Sequence, residues 1–357
     1  MTAPKVLNQW GYAAKIETTY GSINAPTVSD GILLKMVPTV DVPQWLNMGD
    51  RGVTPFGAPR QNAPNSGRWG GYKLQAEGIG FGAAYSASNK PHLDVLYQAS
   101  GFSSTGSFGA GVEYYQYLPV IQPTAITSIT SDVNLSGQLY RLYGAYADLS
   151  VSAKGPEIPI WDFDVVGIMD LMTDATIPVY TSYPSMANVP MKADSMTAKI
   201  GLFVAGSNNT GLVLRSFQLK MGRNHKNARA NLASLGTSFG HAGFTPGYRK
   251  TEVEMVVERV PLATVSPWNT ATTLNPYKLA EDAIPVLLQL SVGTVQYKRW
   301  HIYTGSGVTA GAPTPAAQAI LTNVKDTADG PTATWTLTFE LFASTYGLGD
   351  EVSIMYN

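Results

Sequence analysis

The sequence contains no cysteine and few charged residues. The absence of cysteine excludes disulfides, a thiolate nucleophile and any cysteine-based metal site. Charged residues make up 14% of the 357 residues, against about 25% in typical soluble domains. The net charge of -1 lacks the basic excess of a protein that binds nucleic acid through its phosphates. We therefore expect a surface partly covered by neighbouring subunits, with stability supplied by packing and association.

Long apolar runs and catalytic motifs are also missing. No run of about 18 apolar residues could cross a bilayer, and the first residues lack the charged-then-apolar pattern of a secretory signal. We therefore expect no membrane association and a chain kept in the cytoplasm until it is assembled. There is no nucleophile elbow, phosphate-binding lysine loop or pair of catalytic carboxylates, so we expect neither an enzyme nor a cofactor.

The remaining candidates for chemistry are weak. None of the histidines has a histidine or carboxylate partner at metal-ligand spacing, so no metal site is expected. They are His92, His225, His241 and His301. Asp162 and Asp164 resemble the start of a calcium loop, but the third acidic ligand is missing and alternating strand residues explain them better. The glycine-rich stretch 78–82 is not followed by a long helix, which favours a strand end over a dinucleotide loop.

What is present is an internal similarity between two halves. Gln138–Tyr143 and Ile158–Val166 are echoed by Gln296–Tyr303 and Ala333–Leu341. Both halves give the order strand, long loop, strand, helix, hairpin, strand, Gly-Pro turn, strand. Alternating β-rich sequences also align by chance, but the agreement of order, loop placement and turn chemistry favours a duplication.

These patterns predict a mainly β protein with one short helix in each half. Each helix begins near a proline, Pro91 in the first half and Pro276 in the second. The predicted divisions are an N-terminal arm (1–31), a first domain (32–169) with a long loop (41–70), a linker (170–190), and a second domain (191–357) with a long loop (222–247) and an insertion (305–319).

Two predicted strands carry polar side chains on one face, because alternate residues of a strand point the same way. The residues are Lys73, Gln75 and Glu77 in the first half, and Lys250, Glu252 and Glu254 in the second. A solvated sheet face is the simplest interpretation. If the protein forms a ring, the same residues would line a wet lumen, where mixed and acidic side chains repel phosphates and let DNA slide.

Several segments resemble, in order, the tail tube proteins of siphophages, whose long tails do not contract. They are Glu17–Ser22, Pro26–Leu34, Leu93–Phe102, Leu139–Ala145 and Leu348–Ile354. The resemblance covers nearly the whole chain, although each motif is short. It implies tandem tail-tube-type β-sandwich or barrel domains, each with a flanking helix, whose inner strands join those of neighbours into a closed tube. Rings of such domains stack into the hollow virion tail that conducts DNA.

The resemblance also implies the partners. They are other copies of the chain, a tape-measure protein, tail-tip and terminator proteins, and DNA in transit. The family builds sixfold rings, so two domains per chain imply three copies and one enlarged domain implies six. We favour the homotrimer, although the insertion at 305–319 makes the halves unequal.

The arm and long loops of the family reach between subunits and between rings. The residues expected at these contacts are Glu17, Tyr20, Trp45, Arg51, Arg60, Arg68, Trp69, Arg223, His225, Arg229 and His241. The alternative is a baseplate or carbohydrate-binding β-sandwich, in which tyrosine and tryptophan rings would stack on sugars. Aromatic residues spread over strands and turns, rather than clustered in one loop, favour the tube.

Overall fold

The fold is mainly β, as the sequence predicts. The computed structural model describes residues 9–41, 46–47, 62–63, 69–155, 157–170, 172–184, 196–200, 203–204, 213–223, 227–230, 241–245, 247–259, 262 and 275–357. The strands are β1 (Trp10–Ile16), β2 (Thr39–Asp41), β3 (Leu46–Asn47), β4 (Asn62–Ala63), β5 (Trp69–Glu77), β6 (Phe102–Ser107), β7 (Tyr114–Pro119), β8 (Ile129–Leu135), β9 (Gln138–Lys154), β10 (Ile160–Met169), β11 (Thr173–Asp174), β12 (Met196–Ile200), β13 (Phe203–Val204), β14 (Leu214–Lys220), β15 (Asn227–Ala230), β16 (His241–Thr245), β17 (Glu252–Glu258), β18 (Leu288–Val292), β19 (Trp300–Tyr303), β20 (Gly307–Thr309), β21 (Ala312–Thr314), β22 (Ala319–Asp329), β23 (Thr332–Leu341) and β24 (Ser353–Tyr356). The helices are α1 (Asp94–Ala99) and α2 (Pro276–Glu281), with 3-10 turns at Val28–Asp30 and Pro123–Ala125.

The larger sheet has eleven antiparallel strands. Its main path runs β2-β5-β10-β9-β14-β17-β23-β22, while β8 and β11 pair with β9, and β1 pairs with β8. Strand β9 joins the halves of the chain, because Ser150 to Lys154 pair with Lys220 to Ser216 of β14. The alternation of buried and partly exposed residues along β17 shows why this segment forms a strand with one face on the core.

The smaller sheet has seven strands in the order β13-β12-β18-β19-β24-β7-β6. It mixes distant parts of the chain, since β24 pairs with both β19 and β7. The core lies between the two sheets, where Trp161 of β10 meets Trp300 of β19 edge to face at 5.2 Å. Two packed antiparallel sheets are compatible with a β-sandwich.

Both predicted helices are confirmed. The first, α1, buries Leu96, Tyr97 and Ala99 against the core. The second, α2, begins with Pro276, and the side chain of Asn275 caps it by accepting a hydrogen bond from the Lys278 amide at 3.2 Å. A short apolar face and a proline at the start were therefore sufficient to locate these helices.

Four expectations differ from the structure. Part of the predicted arm is strand β1, which enters the sheet because Tyr12, Ala13 and Ala14 are buried. The apolar stretch at 32–40 predicts a strand, but the structure forms one only at Thr39–Asp41. The insertion at 305–319 contains the β20–β21 hairpin, and the loop at 222–247 contains the β15–β16 pair. The loop at 41–70 lies mostly outside the described residues.

The fourth difference concerns the internal similarity. Gln138–Tyr143 lies in β9 of the larger sheet, whereas Gln296–Tyr303 ends in β19 of the smaller sheet. The two segments therefore do not occupy matching positions. Polar and apolar residues alternate in the same way in both segments, but packing against different neighbouring strands directs the segments into different sheets.

Candidate functional site

The face of the larger sheet that points away from the core is polar. Three rows of directly paired residues cross it from strand to strand. The rows are Lys73, Asp164 and Asp148; then Gln75, Asp162, Ser150, Lys220, Glu252 and Glu340; then Glu77, Ile160, Ser152, Gln218, Glu254 and Thr338. Paired residues of neighbouring strands lie on the same side of a sheet. Five of the six residues predicted for a lumen lie in these rows, and Lys250 lies just before β17.

Acidic side chains outnumber basic ones in these rows. Asp148 and Asp164 are direct cross-strand partners, and burial, together with the nearby Asp164, raises the pKa of Asp148 to about 6. Burial also raises the pKa of Asp162, whose carboxylate accepts a 2.7 Å hydrogen bond from Gln75. A hydrated face with an acidic excess repels phosphates rather than binding them.

Strand β22 is an unpaired edge of this sheet. Beyond the bridge between Ala319 and Val286, no strand in the described part of the chain pairs with its outer side. On β23, the Ala333 carbonyl accepts a hydrogen bond from the Arg259 amide, and the Leu341 amide donates to the Thr251 carbonyl. Arg259 and Thr251 flank β17, so these two residues direct their backbone groups toward β17. Alternate residues of an antiparallel strand direct their hydrogen bonds to opposite sides. After the bulge at 321–323, the outward backbone groups of β22 therefore belong to Val324, Asp326 and Ala328.

Glu17, which the resemblance places at contacts between subunits, forms hydrogen bonds inside its own chain. It is only 6% exposed. Its carboxylate accepts hydrogen bonds from the amides of Gly21 and Gly144 and from the hydroxyls of Ser128 and Thr130. With every donor inside the same chain, the carboxylate fixes the end of β1 against β8 and β9.

Two other expected contact residues remain partly exposed. Tyr20 stacks on Tyr146 with ring centroids 5.8 Å apart, and Trp69 begins β5 opposite Ile168. Both keep more than a third of their surface exposed and remain candidates for contacts. Trp45, Arg51, Arg60, Arg68 and His225 lie outside the described residues. For Arg229 and His241 the structure describes the backbone of β15 and β16 and not the side chains.

Arg223 lies in a buried cation cluster at the end of β14. Its guanidinium donates to the carbonyls of Gly101 and Val120, both at 3.3 Å. Burial and the neighbouring Arg249 lower the pKa of Arg223 to about 10. Arg249 holds Glu351 through two nitrogens and donates to the Val120 carbonyl at 2.5 Å. Sequence reasoning missed Arg249 and Glu351, because only the fold brings residues 102 positions apart into contact.

His92, His301 and the start of the glycine-rich stretch at 78–82 are packed against other parts of the fold. His301 contacts Ser291 at 2.7 Å and Asn357 at 2.9 Å, and burial lowers its pKa to about 4. His92 has a similarly low pKa for the same reason. Gly78 lies directly against the indoles of Trp161 and Trp300, so this stretch is glycine-rich because the chains approach closely.

Within the described ranges, no three histidine or acidic side chains are grouped so that they could hold a metal ion. No helix in those ranges has the length and apolar character needed to span a membrane. No protein-family model matches the chain, and no curated protein matches it. The features of the chain that bear on its function are the polar face, the open edge and the strand order.

Proposed function

We propose that this protein is a structural subunit of a siphophage tail tube, which assembles into stacked rings around a DNA-conducting channel and has no catalytic role. The observation that carries the proposal is the polar face, whose middle row of polar residues runs across both halves of one sheet. A sheet with a buried face, a wet acidic face and an open edge is suited to form a segment of a channel wall. DNA would pass along this face without sequence-specific contacts.

The strand order supports two tube units in tandem. The main path of the larger sheet reads β2-β5-β10-β9 and then β14-β17-β23-β22. In each set of four, the first strand is followed by a long connection, the second by a short helix, and the last two form a hairpin with a Gly-Pro turn. In this alignment β9 corresponds to β22 and β10 to β23, replacing the sequence match that involved Gln296–Tyr303.

The two outer edges of the path support closure between copies. Strand β22 offers outward backbone groups, and at the opposite edge the three-residue β2 covers only part of β5. Pairing β22 of one copy with the β2–β5 edge of the next would remove both edges, which otherwise promote aggregation. Three copies would then supply six units, the arrangement that we favour, whereas six copies would be needed if the chain counts as one unit.

The remaining partners follow from the same proposal. A tape-measure protein would occupy the channel during assembly in the host cytoplasm, and tail-tip and terminator proteins would bind the ends of the finished tube. The channel would be lined by Lys73, Gln75, Glu77, Lys250, Glu252 and Glu254. Each of these lies on or beside the polar face.

Electron microscopy of the purified protein at high concentration tests the proposal. Hollow stacked rings with three or six equal lobes in class averages are expected. Compact monomers at every concentration, with no matching tube in the source particle, would contradict it. In that event a glycan-binding screen would test the alternative of a baseplate or carbohydrate-binding module, for which the exposed Tyr248 and Tyr346 would be the first rings to replace.

A further inference from the structure

A pocket at one end of the larger sheet contains two buried polar groups that have no partner. Arg223, Thr251 and Arg249 line it together with Lys250 at its rim. Arg223 and Thr251 are each 3% exposed. Within the described residues, Arg223 Nε and Thr251 Oγ1 make no hydrogen bond. A buried polar group without a partner destabilises the protein, so this pocket is suited to a ligand that accepts hydrogen bonds.

The charge of the pocket indicates an anionic ligand. The guanidinium of Arg249 is neutralised by Glu351. The guanidinium of Arg223 contacts only backbone carbonyls in the described part of the chain. Lys250 is exposed and is shared between Glu252 at 2.8 Å and Glu340 at 3.6 Å. Arg223 is thus the cation of this pocket that forms no ion pair within the described residues, although Glu351 and Asp148 lie near enough to favour its charged form. A carboxylate is the protein group that best matches a guanidinium.

The rim of the pocket adds exposed apolar surface. Tyr248 is 93% exposed, and Ile121 and Leu348 are each about half exposed. The ligand should therefore be a carboxylate flanked by a compact apolar group rather than a free ion. Aromatic and aliphatic side chains around a charged anchor are typical of a protein-binding site.

The chain itself carries a matching segment at the opposite end of the same strand. Strand β23 ends in the pocket at Glu340 and Leu341 and begins at the β22–β23 turn. That turn presents Asp329, Gly330 and Pro331, all exposed. Ten residues of strand, at about 3.4 Å each, separate the two ends by roughly 30 Å. A second copy placed end to end along β23 would bring its turn to the pocket.

We propose that this pocket binds the Asp329–Pro331 turn of a second copy, with the Asp329 carboxylate at Arg223 and Lys250 and the Pro331 ring against Tyr248. The inference deepens the proposed function and rests on it for the end-to-end arrangement of the chains. A contact between two different surfaces does not close on itself, and so it propagates as a stack.

The other Gly-Pro turn provides an internal control. Glu157 is exposed in the β9–β10 turn at the same end of the sheet as Asp329. At the level of the pocket, however, β9 and β10 carry Asp148, Asp162 and Asp164, because Ser150 beside Asp162 lies in one row with Lys220 and Glu340. A second acidic turn would meet like charges there, so Glu157 should not contribute to docking in the same way.

The first test is a charge reversal with rescue. Lys250→Glu and Asp329→Lys should each raise the concentration needed for tube formation about tenfold, and the double variant should recover most of this loss. Glu157→Lys is the control and should assemble like the wild type. Circular dichroism and thermal unfolding establish that each variant is folded. Wild-type assembly by both single variants would overturn the inference while leaving the tail-tube proposal intact.

The second test does not depend on tubes. A cyclised peptide of residues 325–336 is titrated into the unassembled full-length chain, with binding followed by the fluorescence of a label on the peptide. We expect saturable binding that is weakened about tenfold by Asp329→Asn in the peptide or Tyr248→Ala in the protein. If the peptide does not bind, the inference is wrong. If it binds but the wild type never assembles, the pocket assignment is supported and the proposed tube function fails.

Discussion

Glu17 and Gly144 are joined by a hydrogen bond of 2.7 Å from the backbone amide of Gly144 to the carboxylate of Glu17, although 127 residues separate them. Gly144 adopts a left-handed backbone conformation with φ of +55°. The contact lies where the long strand β9 changes partners, from β8 along its first part to β14 along its last. A buried carboxylate therefore holds the end of β1 to β9 at the point where β9 changes partners.

Replacing Glu17 with alanine should lower the free energy of unfolding by about 3 kcal/mol, because three buried donors and one partly buried donor would lose their acceptor. Urea denaturation of the unassembled protein measures this. Glu17→Gln, which keeps the volume, should cost less but still destabilise, because its amide group would face donors. If Glu17→Ala unfolds like the wild type but fails to assemble, Glu17 acts in a contact between subunits instead.

Gly78→Ala should destabilise the protein by about 2 kcal/mol through overpacking. A methyl group there would collide with the indole nitrogen of Trp161 and come within 3.0 Å of that of Trp300. Denaturant unfolding of the variant provides the comparison. Gly155→Ala is the matched control, since a methyl group at Gly155 meets no atom within 4 Å, and its midpoint should not move. Equal stability of the two variants would argue against close approach as the reason for glycine at 78.

Asp148→Asn should stabilise the protein at neutral pH and not at acidic pH. The pKa of Asp148 is raised from 3.8 to about 6, so the folded state binds this proton more tightly than the unfolded state does. The stability that this group contributes is present below pH 3.8 and is lost as the pH rises to 6. Because Asp148 is only partly buried, we expect the variant to gain about 1 kcal/mol at pH 7.5 and almost nothing at pH 4.

The comparison must be made between variant and wild type at each pH. His92 and His301, whose pKa values are lowered to about 4 by burial, make both proteins less stable as the pH falls from 6.5 to 4. Their effect cancels in the difference between the two proteins. Glu157→Gln, on an exposed turn, should show no difference at any pH. A gain from Asp148→Asn that is the same at pH 4 and 7.5 would refute the assignment.

Ala328→Pro should abolish lateral assembly without unfolding the subunit. Proline removes one outward N–H of β22 and is tolerated on edge strands. Thr327→Pro is the contrasting variant, because Thr327 pairs inward with Thr334 of β23. Proline at this position would remove a backbone hydrogen bond between β22 and β23 and should lower the melting temperature. Analytical ultracentrifugation and thermal unfolding separate the two effects. Tubes formed normally by Ala328→Pro would mean that β22 is not a contact strand.

Features set by neighbouring residues could be predicted from the sequence. The alternation around Lys73 and Glu77, the proline at the start of α2 and the Gly-Pro turn before β23 are all local signals, and each lies where it was expected. The partner of each strand could not be predicted in this way. Gln296–Tyr303 has the same alternation as strands of the larger sheet, and its place in the smaller sheet depends on packing against β18 and β24.

For the polar face and the pocket, too, local features could be predicted from the sequence, whereas contacts between distant residues could not. Sequence alternation predicted that Gln75 and Glu252 would each lie on a polar face. Only the register across β10, β9 and β14 shows that these two residues belong to one row. Thr251 carries no local signal, and Arg223 is expected at contacts only from its place in the long loop. Their missing hydrogen-bond partners become visible only when the surrounding chain is in place.

The position of β24 determines when this fold can be completed during synthesis. Tyr97 and Tyr356 share a hydrogen bond of 2.6 Å across 259 residues, and β24 occupies the gap between β7 and β19. As the chain leaves the ribosome, β6 and β7 emerge early and pair with each other, but the other edge of β7 lacks a partner until β24 has been released. The nascent chain must therefore keep an unsatisfied sheet edge from aggregating throughout the synthesis of the segment between β7 and β24, which makes chaperone protection most valuable before β24 arrives.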